Sequence, residues 1–181
     1  ALLPKDIAVQ WAKVMPPEFH CRASAVSRTY AYVLLADPVR PSVDQGRVGW
    51  VYRPIQLEPM QQAVQWLLGE HDFSSFRASA CQALSPIKNL LRIDITRRGA
   101  YWRFEFEANA FLHHMIRNLM GCLLAIGDGR HPPEWIKEVM AARDRDAAAP
   151  TFSPDGLYFL GPRYDPHWGL PERASLIDGL P

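Results

Sequence analysis

The stretch FLHHMIRNLMGCLLAIGDGR, residues 111–130, constrains this chain more than any other. At ~100° per residue, Phe111, Leu112, Met115, Ile116, Leu119, Cys122, Leu123 and Ile126 share one broad apolar face. His113, Arg117 and Gly121 follow one another at i, i+4 and i+8 on the other side, flanked by His114 and Asn118. The periodicity predicts a helix over 111–126 with a core face and a narrow polar stripe. Gly121 has no side chain, so the stripe has one point where another element can approach the helix backbone closely.

Around this helix the periodicity alternates. Ile7, Val9 and Trp11 read as a strand, as does the run around Tyr30–Leu35. A helix is predicted over 57–68: Pro59 suits a first turn, Met60, Ala63, Val64, Leu67 and Leu68 share a face, and Gly69 stops it. In LLRIDITRRGAYWRFEFEANAF, Leu91, Ile93 and Ile95 point one way, Arg98-Gly99 turns the chain, and Trp102, Phe104, Phe106 and Ala108 return. Asp94, Arg103, Glu105 and Glu107 fall on the wetter face. Pro132 and Pro133 open a further helix over 132–142, with Trp135, Ile136, Val139 and Met140 inward. GLYFLG is a short last strand, followed by a tail rich in Pro and Gly. Helices interspersed with antiparallel strands predict an α+β fold: one mixed, mainly antiparallel sheet with helices on one face.

Composition sets outer bounds. With 181 residues, 48% of them apolar, the chain can bury a core without staples. No run approaches the ~18 uninterrupted apolar residues of a membrane span, and no signal peptide is evident. Cys21, Cys81 and Cys122 are odd in number and far apart, which argues against a disulfide framework or zinc site and for a reducing, cytoplasmic setting. A net charge of +1 gives no overall pull on a polyanion. Local pairs supply one: Arg22 with Arg28, Lys88 with Arg92, Arg97 with Arg98 and Arg143 with Arg145, each equally readable as solvated surface. The opening ALLPKDIAVQW has no initiator Met and enters directly into alternating apolar residues, which predicts an internal segment of a longer protein.

Local chemistry narrows little further. Adjacent histidines diverge by ~100° on a helix, and neither H-E-x-x-H nor C-x-x-C occurs, so no metal is expected. There is no G-x-S-x-G, and Cys122 lies on the apolar face, where it packs rather than reacts. GDGR at 127–130 reads as a helix stop, not a phosphate loop. In RDRD, Asp144 and Asp146 are expected to pair with the adjacent arginines. Tyr30, in SRTYAYVL, has the aromatic ring beside basic residues that stacking on a nucleobase requires, although on residue type alone an ordinary half-buried strand position is the commoner reading.

Four stretches change those odds together. FHCRASAVSRTYAYVLL, LLGEHDFSSFRA, ANAFLHHMIRNLMG and PDGLYFL, in this order and spacing, closely resemble the C-terminal domain of TruA-type tRNA pseudouridine synthases. The likeness runs from near Lys5 to about Pro171, which makes 1–171 the domain and 172–181 the tail. AAAPTFSPDG differs from the Thr-Ala-Pro-rich form of the family. The larger difference is that none of the eleven aspartates lies in the R-T-D-A-G motif that carries the family's nucleophile.

The resemblance implies that this aspartate belongs to an N-terminal domain absent from the chain, and that Arg117 ion-pairs with it and orients it. It further implies that Tyr30 stacks on the target uracil, and that Leu157 packs against that base or against the ring of Tyr30. Arg28, His113, His114 and Asn118 are then candidate RNA contacts or braces. The implied reaction isomerises uridines of the tRNA anticodon stem-loop, at positions 38, 39 and 40, without metal or redox cofactor. The implied partners are tRNA, the N-terminal domain and a second subunit. A non-catalytic RNA-binding or assembly module on the same scaffold is the alternative.

Overall fold

The computed structural model describes residues 2–171. The tail at 172–181 lies outside the described residues. Strand β1 (Ala25–Ala36) is the spine of a six-stranded sheet. On one side β1 pairs antiparallel with β5 (Tyr101–Ala108), which pairs with β4 (Ile87–Arg98) and then β3 (Gly69–Asp72). On the other side two strands share its length. Antiparallel β6 (Leu157–Tyr164) runs beside residues 25–32, and parallel β2 (Gly49–Val51) beside 34–36. The expected α+β class, a mixed and mainly antiparallel sheet, is the one observed.

Three helices cover one face: α1 (Leu57–Leu67), α2 (Met115–Gly127) and α3 (Trp135–Ala142). Tyr32, Leu34, Ile93, Ile95, Trp102, Phe104 and Phe106 meet Met60, Ala63, Val64 and Leu67 of α1 and the apolar residues of α2 in one core. The opposite face is split. Val33, Leu35 and Val48 form a small second cluster, so β1 is buried on both faces. Further along, Arg92, Arg163, Glu105, Glu107 and Ser27 make a lattice of ion pairs and hydrogen bonds across β4, β5, β1 and β6.

Several local expectations are corrected. Ile7, Val9 and Trp11 join no strand and are 53%, 69% and 56% exposed, because both sides of β1 are already taken and no other edge receives them. This segment runs instead to Lys13, whose Nζ donates to the carbonyls of Trp168 and Gly169, and to Phe19, whose ring meets Tyr164 and Trp168. The hairpin turn is Gly99-Ala100, one residue later than Arg98-Gly99, since Arg98 still pairs with Tyr101. Leu91 does not join Ile93 and Ile95. A bulge between Leu90 and Arg92 turns it out to 44% exposure and puts Leu90 into the core instead. Residues 162–164 belong to β6 rather than to the tail, and 166–168 form a 3-10 turn capped by Asp165. In RDRD, Arg143 reaches Asp72 (3.3 Å), Arg145 reaches Asn118 and Thr151, and Asp144 caps the 3-10 turn at 145–147 by accepting from Asp146 N–H.

The central helix differs most. It begins at Met115, not at 111, because the backbone of His113 is used elsewhere: its carbonyl accepts from Ala78 N–H and its N–H donates to the Cys81 sulfur. His114 adopts a left-handed conformation (φ 60°) to turn the chain from that loop into the helix. Nor is α2 amphipathic. Every residue from Met115 to Gly127 is buried except Arg117. The expected polar side is roofed by the chain's own segment 149–152, which crosses at Gly121.

A methyl group on Gly121 would lie 2.3 Å from the Pro150 carbonyl oxygen, a backbone atom with little room to yield. Gly121→Ala therefore forces the crossing segment off the helix and should destabilise the fold by about 1–3 kcal/mol. Urea denaturation with an unchanged midpoint would show that the crossing is not tight.

Candidate active site

Three elements converge on the first turn of α2. Tyr30 and Tyr32 point from β1 toward the helical layer; Leu157 and Phe159 lie beside them on β6; residues 149–156 run between helix and sheet. The register sets Leu157 opposite Tyr32 and Phe159 opposite Tyr30. Accordingly the rings around Tyr30 are Phe159 (centroids 4.9 Å apart) and Phe111 (5.2 Å, edge-on). Phe159 is 54% exposed, and Tyr30 is half-buried with no hydrogen-bond partner for its hydroxyl among the described residues. The result is an open aromatic shelf of the kind that a flat heterocycle can cover. Burial raises the Tyr30 hydroxyl above its ordinary range, against the opposing pull of Arg28, so it stays protonated at neutral pH.

Arg117 is linked to this shelf through residues 152–153 and Tyr32. Its Nε donates to the Phe152 carbonyl at 2.7 Å, and Phe152 N–H donates back to the Arg117 carbonyl at 3.1 Å. Among the described residues no carboxylate lies within ion-pair distance of the guanidinium, whose two terminal nitrogens keep their donors unused. The placement is electrostatically unfavourable. A cation in the first turn opposes the positive end of the helix dipole, and the neighbourhood is already positive: His114 feels both Arg117 and Arg145. Burial, then the charges of His113, Arg117 and Arg145, hold His114 below its ordinary 6.5. Tyr32 lies between the two groups. Its hydroxyl donates to the Ser153 carbonyl (2.8 Å) and its ring packs on Phe152 (5.7 Å). Burial drives its ionisation well above the usual tyrosine range; Asp155 adds to that and Arg117 opposes it.

The remaining candidates fall into different roles. His113 is exposed, with its ring 4.0 Å from that of His114. Arg28 is committed to the chain itself, donating to the carbonyls of Ala25 (3.0 Å), Asn109 (2.6 Å) and Arg22, so it braces the mouth of β1. Asn118 is fully buried: its Nδ2 donates to Phe76 O (2.8 Å), and its Oδ1 accepts from Thr151 (2.7 Å) and Arg145 (3.1 Å). Asn118 is thus a strut rather than an RNA contact, because nothing from solvent reaches it. Cys122 is buried too, with its thiol pushed up to about 11. No three His, Cys, Asp or Glu side chains gather at metal-binding distances among the described residues. Phe111 reads in the sequence as part of the apolar face of the helix, and Phe152 and Phe159 are not singled out there; only the register of β6 against β1 reveals Phe159 as part of the shelf.

A guanidinium fork left open and linked to an aromatic shelf suits a nucleobase and a carboxylate brought from outside the described residues. The comparisons with known proteins decide the family. The family model described as tRNA pseudouridine synthase matches residues 63–165. The chain belongs to the tRNA pseudouridine synthase family. It is 71% identical over 181 residues to the tRNA pseudouridine synthase A of Albidiferax ferrireducens, covering all of this chain and 70% of that protein. It is 68% identical over 185 residues to that of Polaromonas naphthalenivorans, with the same coverage, and 63% identical over 179 residues to that of Methylibium petroleiphilum, covering 99% and 69%. The family is one of isomerases that modify tRNA, and no helix among the described residues is long and apolar enough to cross a membrane.

The electrostatics yield a direct prediction. With its pKa lowered, folded His114 takes up its proton only below 6.5, whereas the unfolded chain takes it up near 6.5. Its contribution to stability is therefore full above 6.5 and is lost as pH falls from there toward the folded value. NMR titration of the His114 ring should give a midpoint below 6.5, and Arg117→Ala should move it upward. A midpoint indifferent to that substitution would remove Arg117 from the field around His114.

Proposed function

We propose that the chain is the base-stacking and aspartate-orienting part of a tRNA pseudouridine synthase acting on anticodon stem-loop uridines. One observation carries the reading: Arg117 is the only residue of α2 that is not buried, and its fork has no carboxylate partner among the described residues. In this reading residues 1–171 form the C-terminal domain, and the nucleophilic aspartate stands in a preceding domain. The fork of Arg117 grips that carboxylate through two hydrogen bonds and keeps it ionised. The target uridine leaves its stack, and its base lies on Tyr30, with Leu157 and Phe159 at its side. The aspartate then attacks, the N-glycosidic bond breaks and the uracil turns; a carbon–carbon bond to the ribose forms as the aspartate is released, the bonding uracil carbon gives up its proton and the freed ring nitrogen takes one, so the product is an isomer of the substrate. Tyr30, held protonated by burial, supplies an uncharged face along which the detached base can rotate.

Surrounding features agree. His113 is exposed with its ring against that of His114 and suits an RNA contact, while His114, kept neutral, suits a brace. The reading includes a homodimer whose subunits jointly hold the tRNA, and a cytoplasmic setting, which three unpaired thiols suit.

Two linked measurements test it. Residues 1–181 alone should form no pseudouridine on unmodified tRNA; robust turnover would sink the assignment. In the complete enzyme, Arg117→Ala should remove most catalysis. Deleting one partner of a desolvated pair costs ~3–5 kcal/mol, or roughly two to four orders of magnitude in single-turnover rate where the cost falls on the transition state. Affinity for tRNA should change far less, because it is spread over many phosphate contacts. An unchanged rate with strongly weakened affinity would make Arg117 an RNA-backbone contact instead.

A further inference from the structure

Arg117 can grip a carboxylate only if its fork is aimed, and a four-bond side chain at the rim of a helix is not aimed by its own helix. What aims it is Phe152. With Nε held by the Phe152 carbonyl, the side edge of the guanidinium is occupied and the terminal pair of nitrogens becomes the free edge. The return bond from Phe152 N–H to the Arg117 carbonyl locks the two backbones side by side. The direction of one carbonyl group therefore sets the direction of the fork, and the question becomes what fixes that carbonyl.

Three anchors do so. Pro150 O rests on α2 at Gly121, where only a glycine leaves room. Immediately before Phe152, the Thr151 hydroxyl donates to Asn118 Oδ1 at 2.7 Å, while Arg145 Nη2 donates to both Thr151 Oγ1 (2.9 Å) and Asn118 Oδ1 (3.1 Å). Asn118 is fully buried and pinned from behind by Phe76 O, so this closed triangle ties the segment to an immobile post. Immediately after Phe152, Ser153 O accepts from Tyr32 on the central strand. Asn118 and Arg117 are neighbours in sequence, so one turn of α2 both presents the guanidinium and holds the segment that steers it.

We propose that Thr151, with Asn118 and Arg145, is a positioning unit for the isomerisation, acting through Phe152 on the Arg117 guanidinium. The inference rests on the reading of Arg117 as the partner of the nucleophile. Thr151 is exposed and its methyl group serves no core, so removing its hydroxyl tests the steering with little effect on packing. Displacements of about 1 Å at a reacting group can cost ~100-fold.

In the complete synthase, Thr151→Val should lower the single-turnover rate of pseudouridine formation about 10- to 100-fold. Affinity for tRNA should stay within about twofold, unfolding should remain cooperative, and Thr151→Ser, which keeps the hydroxyl, should recover most of the rate. The deciding readout is a double-mutant cycle: in an Arg117→Ala background, Thr151→Val should change the rate by less than about twofold, since its target is gone. A multiplicative loss in that background, or a wild-type rate for Thr151→Val alone, overturns the positioning role while leaving the Arg117 reading intact. A wild-type rate for Arg117→Ala alone overturns both. If Thr151→Val does not fold, Thr151→Ala is carried through the same cycle.

Discussion

Everything at this site depends on the paired hydrogen bonds between Arg117 and Phe152, which join the first turn of α2 to the strap that crosses it. Without the strap, the polar side of α2 would be a solvated helix face and Arg117 a mobile surface cation. With it, α2 is buried all round and its single emerging side chain leaves in a fixed direction. The strap also reaches the sheet: Tyr32 takes Ser153, and Val33 N–H donates to Gly156 O at 2.8 Å, immediately before Leu157 opens β6. Helix, strap, central strand and last strand are thereby one mechanical unit. The Arg117 guanidinium at one end and the aromatic shelf at the other are held in one framework.

Electrostatics give the unit its purpose. Placing a cation at a helix N-terminus, near Arg145, runs against the dipole and against like charge. No carboxylate among the described residues ion-pairs with Arg117, although elsewhere this chain pairs its arginines readily, as with Arg92, Arg130 and Arg163. A positive pole maintained at such cost is suited to receive an anion, and Tyr32, kept neutral by burial, supplies none.

The regular part of the architecture was legible in the sequence because it rests on periodicity. The face of α1 follows from Met60, Ala63, Val64 and Leu67, and the alternation in Trp102, Phe104 and Phe106 follows from the pleat. Ile7–Trp11 misled because alternation records a capacity to pair and says nothing of a free edge. Leu91 misled because one bulge reverses a face. At the site, Gly121 signalled a close approach, but not which segment makes it; Pro150, 29 residues on, is a tertiary fact. Asn118 misled for the same reason: on a helical wheel it borders Arg117, yet the strap and the 3-10 turn at 74–76 seal it off. Leu157 was singled out only through family resemblance; Tyr30 stood out by its basic surroundings and Arg117 by the polar stripe, but spacing alone gave neither a definite role.

The most direct test of the central claim is a crystal structure of the complete synthase. An aspartate carboxylate should accept hydrogen bonds from both terminal nitrogens of Arg117, at about 2.7–2.9 Å, with Nε still on the Phe152 carbonyl and the Tyr30 ring open to the cleft. An Arg117 fork turned to solvent or to a phosphate, with no carboxylate within about 4 Å, would contradict it.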